Sequence, residues 1–145
     1  MRIYLDVCCL GRVFEEDEQP RIRAERAAVE SILESEIQIV TSDAVAYEIA
    51  RDPDEERRDA KTILDDEIRD ETVKLTDSIK ARAKQLGALG FGGLDALHIA
   101  CAESARCDWL LTTDDRMLKR AIRLSGSINV AVENPAAWVL RFPKQ

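Results

Sequence analysis

Aromatic side chains make up only 5% of this chain, so its core must be built mostly from Leu, Ile, Val and Ala. Histidine occurs once, at His98, and no two of the four cysteines have C-x-x-C spacing, which argues against a structural zinc site or a dithiol redox centre. Cys8, Cys9, Cys101 and Cys107 stand among apolar residues or beside a predicted strand, and are expected as reduced core thiols. No apolar run approaches the roughly 18 residues of a membrane span. The opening Met1-Arg2-Ile3-Tyr4-Leu5-Asp6 has its apolar stretch cut by an acid, unlike a signal peptide, and the expectation is a cytoplasmic protein. A positive excess is also missing. The net charge of −7 argues against gripping nucleic acid through the overall field, although Arg116, Lys119, Arg120 and Arg123 form local basic ground.

What is present is an alternation of strand and helix. The length suits one domain over residues 1–145 and is enough to bury about two-thirds of the unfolded surface. Ile3, Tyr4 and Leu5 with Val7 form a short apolar run without alternation, the pattern of a strand inside a parallel sheet. Further strands are predicted at 37–41, 72–75, 109–112 and 128–132. Pro20 opens a helix whose inner face is Ala24, Ala28, Val29, Ile32 and Leu33. Ser42 suits the N-cap of the next helix and Asp77 that of a later one. A helix between them carries Ala60, Ile63, Leu64 and Ile68 inward. A nearly all-apolar helix over 94–105 should be buried, and one over 116–124 should turn Met117, Leu118, Ala121 and Ile122 inward. Such alternation implies parallel strands joined by helical crossovers, an α/β fold of three layers, α/β/α.

Most of the 28 acids need no explanation beyond solvent. Asp6, Glu48, Asp95 and Asp114 differ because apolar residues flank them, which predicts partial burial, and a buried carboxylate without a partner is costly. Asp6 and Asp114 end predicted strands, where open α/β sheets place their ligand crevices; Glu48 is in the helix leaving the second strand and Asp95 opens the buried helix, so both can lean over the same edge. Asp6, a core-strand acid, is given no capping role. Four converging carboxylates repel one another unless cations separate them, and all-oxygen ligation suits Mg²⁺ or Mn²⁺. Two such ions about 4 Å apart can activate water in phosphodiester cleavage. Simpler explanations stay open for three of the four: Asp95 can cap its helix, Asp114 or Asp115 the next, and Glu48 can pair with Arg51.

The order Ile-Tyr-Leu-Asp6, then Ser42-Asp43-Ala44-Val45-Ala46-Tyr47-Glu48, then Leu94-Asp95-Ala96-Leu97-His98-Ile99-Ala100, then Leu111-Thr112-Thr113-Asp114 resembles the PIN domain over nearly the whole chain. Val132-Glu133-Asn134-Pro135 is similar to that family's last strand and turn. The resemblance implies a five-stranded parallel sheet and a Mg²⁺- or Mn²⁺-dependent endoribonuclease. At this length it looks like the toxin half of a toxin–antitoxin pair (VapC-like), a homodimer held inactive by a small antitoxin protein. It also implies that Asp6, Glu48, Asp95 and Asp114 hold the metal and that Thr112 orients Asp114 by a side-chain hydrogen bond. Cys8 and Cys9 stand where the family often has a hydroxyl or amide residue, and Asp115 competes with Asp114 as the ligand.

Two assignments stay apart from that set. His98, one turn after Asp95, is given a packing role because metal-activated water needs no imidazole. Arg116 and Lys119 either contact RNA phosphates beside Asp114 or form an ordinary solvated helix face. Two rival functions are carried: another α/β metal-dependent phosphohydrolase, and a PIN-fold binding module that cleaves nothing.

Overall fold

Strand β1 (Arg2–Leu5) is apolar on both faces, with Ile3, Tyr4 and Leu5 all buried, because helices cover the sheet on each side. The computed structural model describes residues 1–143. In it β1 is the middle of a five-stranded, all-parallel sheet with β2 (Gln38–Ser42), β3 (Glu71–Val73), β4 (Trp109–Leu111) and β5 (Ala131–Glu133). The order is β3-β2-β1-β4-β5, with Ile3 opposite both Ile39 and Trp109. The expected three-layer α/β/α architecture is thus observed.

The helices are α1 (Val7–Arg12), α2 (Pro20–Leu33), α3 (Asp43–Ala50), α4 (Glu55–Ile68), α5 (Asp77–Ala88), α6 (Gly93–Ser104), α7 (Asp115–Arg123) and α8 (Pro135–Arg141). Each start has a local cause. Ser42 caps α3 by accepting the Val45 N–H, Asn134 caps α8, and Pro20 and Pro135 occupy first turns where a missing N–H costs nothing. Helix α6 is the buried one: Ala96, His98, Ile99, Ala100, Cys101 and Ala102 are all inside, and it packs against α5 and α3 and onto β2 and β4. Its end is closed by Arg106 at φ 55°, with Cys107 N–H bonded to Ala102 O and Arg106 N–H to Glu103 O, which turns the chain into β4. No described helix is long and apolar enough to cross a membrane.

Several sequence expectations need correction. Val7 does not extend β1; it opens α1, because Asp6 stops the strand and starts a helix. The third strand is displaced to Glu71–Val73, and the last lies at Ala131–Glu133 rather than 128–132. Thr76, not Asp77, caps α5. Ala24, Ile63 and Ile122 face outward, Ile63 and Ile122 at 59% and 74% exposure, since the helical stripes are narrower than the apolar pattern suggests. Where Ala24 was expected inside α2, Glu25 is found instead, 1% exposed. It accepts from Arg12 at 2.9 Å, from Arg21 at 3.2 Å and from the Asn134 amide, so one carboxylate joins α1, α2 and the cap of α8.

Candidate metal centre

Parallel strands deliver their carboxyl ends to one edge, and this sheet reverses its order of growth at β1, between the β2 and β4 sides. That arrangement opens a crevice beside the residues that follow β1 and β4. Asp6 follows β1 directly, and its N–H continues the ladder to Leu111 O at 3.0 Å. Its carboxylate is 6% exposed and held on two sides. Oδ1 accepts the Val7 N–H at 2.8 Å, and Oδ2 accepts the Thr112 hydroxyl at 2.8 Å and the Cys8 thiol at 3.4 Å. Asp6 is therefore also the N-cap of α1, a role the sequence reading had denied it.

Thr112 does more than was expected of it. Its hydroxyl accepts the Asp114 N–H at 3.1 Å, fixing that residue's backbone rather than its carboxylate, while donating to Asp6. Cys8 stands 3.3 Å from the same hydroxyl and accepts the Thr113 N–H at 3.3 Å, so the thiol takes a hydrogen-bonding place between the two loops.

Glu48 reaches the crevice from α3, which Ser42 caps at the end of β2. It does not pair with Arg51, whose guanidinium lies over the Tyr47 ring at 5.6 Å. Its Oε1 is instead 2.9 Å from His98 Nε2. His98 is fully buried, as expected, but its neighbours belong to the site: Nε2 is also 3.6 Å from Asp6 Oδ1, and Nδ1 is 2.6 Å from the Tyr4 hydroxyl. Ligand atoms of Asp6, Glu48 and His98 all lie within 4.8 Å of one another. Burial alone would lower the imidazole's proton affinity, yet the Glu48 hydrogen bond and the charges of Asp6, Glu48 and Asp95 outweigh it and raise it. Tyr4, Ser42, Cys8 and His98 were all missed as site residues. His98 carried a signal in its i+3 spacing from Asp95 on one helix face, and Cys8 in standing where the family often has a hydroxyl or amide residue.

Asp95 sits in the first turn of α6 and makes no capping bond; Gly92 is the cap. Its carboxyl is pushed up from the ordinary 3.8 to about 6, first by burial, then by the charges of Asp6 and Asp114, with Glu48 adding and His98 opposing. All four acids therefore share one field. Asp114 does cap α7, one oxygen accepting Arg116 N–H at 2.9 Å and Met117 N–H at 3.4 Å. Asp115 points elsewhere, gripped by both outer nitrogens of Arg21 at 2.8 and 2.9 Å, which hold its carboxyl low. Arg21 also donates to Thr113 O, tying the β4–α7 loop to α2. Arg116 and Lys119 are exposed on α7 and enter no ion pair among the described residues.

The electrostatic balance is uneven in an informative way. Asp52, Glu25, Glu103 and Asp115 each have an arginine or lysine within ion-pair distance. Among the described residues none reaches Asp6, Glu48 or Asp95. Clustered carboxylates with one imidazole and no basic partner fit a divalent cation. Because Asp95 is raised in the folded state, its favourable contribution is complete below pH about 4 and lost as pH rises through about 6. Asp95→Asn is accordingly expected to raise the melting temperature of the chelator-treated protein at pH 7.5, with the gain shrinking toward pH 4.5. A scanning-calorimetry series showing an equal gain at both pH values would contradict the repulsion.

With that geometry in place, comparison with known proteins gives a consistent answer. The chain is similar in structure to VapBC2 from Rickettsia felis, solved bound to a DNA fragment from their promoter, at a TM-score of 0.60 and 14% identity, covering 92% of this chain and 98% of that one. It is similar also to VapBC-1 from nontypeable Haemophilus influenzae, at a TM-score of 0.59 and 16% identity, covering 93% and 98%. No curated protein matches it. The PIN domain family model matches residues 3–123, most of the chain. The chain belongs to the PIN domain family, whose members are generally nucleases.

Proposed function

We propose that this protein is a Mg²⁺- or Mn²⁺-dependent endoribonuclease, the toxin of a toxin–antitoxin pair, acting in the cytoplasm as a homodimer of a single-domain chain. The observation that carries the reading is the set of uncompensated acids at the β1–β4 crevice, where Asp6, Glu48 and Asp95 have no arginine or lysine partner among the described residues. Asp6, Glu48, Asp95 and Asp114 would hold the ion. When bound, a divalent cation supplies charge neutralisation for a phosphodiester and lowers the pKa of water.

The chain's own residues then have separable tasks. Thr112 and Cys8 keep the Asp6 carboxylate in one rotamer, and Thr112 anchors the Asp114 backbone, so both acids are positioned before substrate arrives. Glu48 Oε1 lies 2.9 Å from His98 Nε2. A groove of about 470 Å³ opens beside Glu48, lined also by Val7, Arg51 and Leu94. Asp52 takes up much of the charge of Arg57 and Lys61 in that groove. Arg116 and Lys119, exposed just beyond Asp114, are the better placed to contact RNA phosphates. The fold shared with the VapBC structures favours a small antitoxin protein as partner.

The test is incubation of the purified protein with single-stranded RNA and, separately, with a small phosphoester, in Mg²⁺, in Mn²⁺ and in chelator. RNA cleavage that needs the metal is expected. Turnover of the phosphoester alone would replace this reading with another phosphohydrolase, and intact RNA with retained Mn²⁺ binding would leave a PIN-fold binding module.

A further inference from the structure

We propose that the metal site of this protein is not all-oxygen: His98 Nε2 is a direct ligand beside Asp6 and Glu48, so the site takes a nitrogen-accepting divalent ion and prefers Mn²⁺ to Mg²⁺. The inference rests on the metal dependence proposed above and adds a residue to it.

Geometry supplies the first argument. Adjacent ligands about 2.1 Å from an octahedral ion lie about 3 Å apart, and opposite ones about 4.2 Å. His98 Nε2 is 2.9 Å from Glu48 Oε1 and 3.6 Å from Asp6 Oδ1, and the three ligand atoms fall within 4.8 Å of one another. The first distance matches an edge of a coordination polyhedron, and the second falls between an edge and a diagonal.

The other face of the ring supplies the second. His98 Nδ1 lies 2.6 Å from the Tyr4 hydroxyl, which lies 2.6 Å from Ser42 Oγ. Tyr4 is fully buried in β1, between the imidazole and Ser42. With the Tyr4 proton directed to Ser42, the tyrosine oxygen accepts from Nδ1–H, and the imidazole lone pair is left on Nε2. A ring nitrogen whose partner N–H is held by a buried acceptor is the usual arrangement of a metal-ligating histidine. In that tautomer the Nε2 lone pair faces two carboxylate oxygens, which is repulsive until a cation stands between them.

The choice of ion follows. Mg²⁺ favours an all-oxygen shell and dehydrates reluctantly, whereas Mn²⁺ and the later first-row ions accept imidazole. One nitrogen among carboxylates is therefore a filter against the more abundant hard ion, built from a residue on the same helical face as Asp95.

The experiment uses the full chain loaded with Mn²⁺ alone and electron spin-echo envelope modulation, which detects a directly bonded ¹⁴N. Because the chain has one histidine, growth on ¹⁵N-histidine assigns any such signal without a mutation. The expected result is a ¹⁴N modulation that converts to a ¹⁵N one on labelling, with Mn²⁺ binding at least about 10-fold tighter than Mg²⁺ by calorimetry. Tyr4→Phe should keep the nitrogen signal but weaken Mn²⁺ binding by about 10-fold, as loss of an outer partner does. His98→Gln should erase the signal and bring the two affinities together. Bound Mn²⁺ with no nitrogen modulation overturns the ligand assignment and leaves the nuclease reading standing. Absence of Mn²⁺ binding overturns both.

Discussion

Asp6→Asn should lower metal-dependent RNA cleavage by at least about 10³-fold, equivalent to roughly 4 kcal/mol of barrier, while the protein stays folded. The substitution removes one negative charge from the most enclosed of the four acids, and among the described residues Asp6 is the only acid bonded to Thr112 and Cys8 together. The fold should tolerate it. Asn caps helices about as well as Asp, so the Val7 N–H keeps its acceptor, and the Thr112 hydroxyl can turn to accept from the new amide. The measurement is initial cleavage rate in saturating Mn²⁺ beside a thermal melt. A variant with an unchanged melting temperature and more than a tenth of wild-type activity would remove Asp6 from the machinery.

The second large effect belongs to stability. Glu25→Ala is expected to cost about 3 kcal/mol, the low end for breaking a buried ion pair, and to lower the melting temperature by about 10 °C. The carboxylate is 1% exposed and carries two guanidiniums and one amide, whose owners lie on α1, α2 and the cap of α8. Removing it leaves Arg12, only 19% exposed, with Glu15 as its remaining carboxylate, whereas Arg21 at 50% can recover water and keeps Asp115. That is why the low end is chosen. Glu25→Gln, which retains an acceptor, should fall between the two. A loss below about 1 kcal/mol by denaturant titration would show that these elements hold together without it.

The sequence disclosed the parts of this structure whose causes are local. The unbroken apolar run of Ile3, Tyr4 and Leu5, the capping chemistry of Ser42, and the apolar residues flanking Asp6, Glu48 and Asp95 are all readable in a short window, whereas Asp114 is exposed despite its apolar flank. What was hidden depends on partners far along the chain. Glu25 stands on a helix surface like any solvated acid until Arg12 and Asn134 are brought to it. Asp6 looked like a strand acid because nothing in Val7-Cys8-Cys9-Leu10 signals a helix more than a strand. Ile122 seemed inward because apolarity was taken for burial, but α7 needs only Met117 and Ala121 to seat itself. His98 was set aside since imidazole is unnecessary for one kind of chemistry; its distance from Glu48 is a tertiary fact that no spacing rule yields.

The hydrogen bond between Asp6 and Thr112 joins residues 106 positions apart. A nascent chain therefore emerges from the ribosome with Asp6 made and its supporting hydroxyl still unsynthesised, an interval of roughly 5 to 20 s at ~5–20 residues per second. Strand β4 must be translated and then slotted beside β1 before the crevice exists. Until that pairing is made, Asp6 lacks the hydroxyl that fixes its carboxylate, and the crevice can support no chemistry.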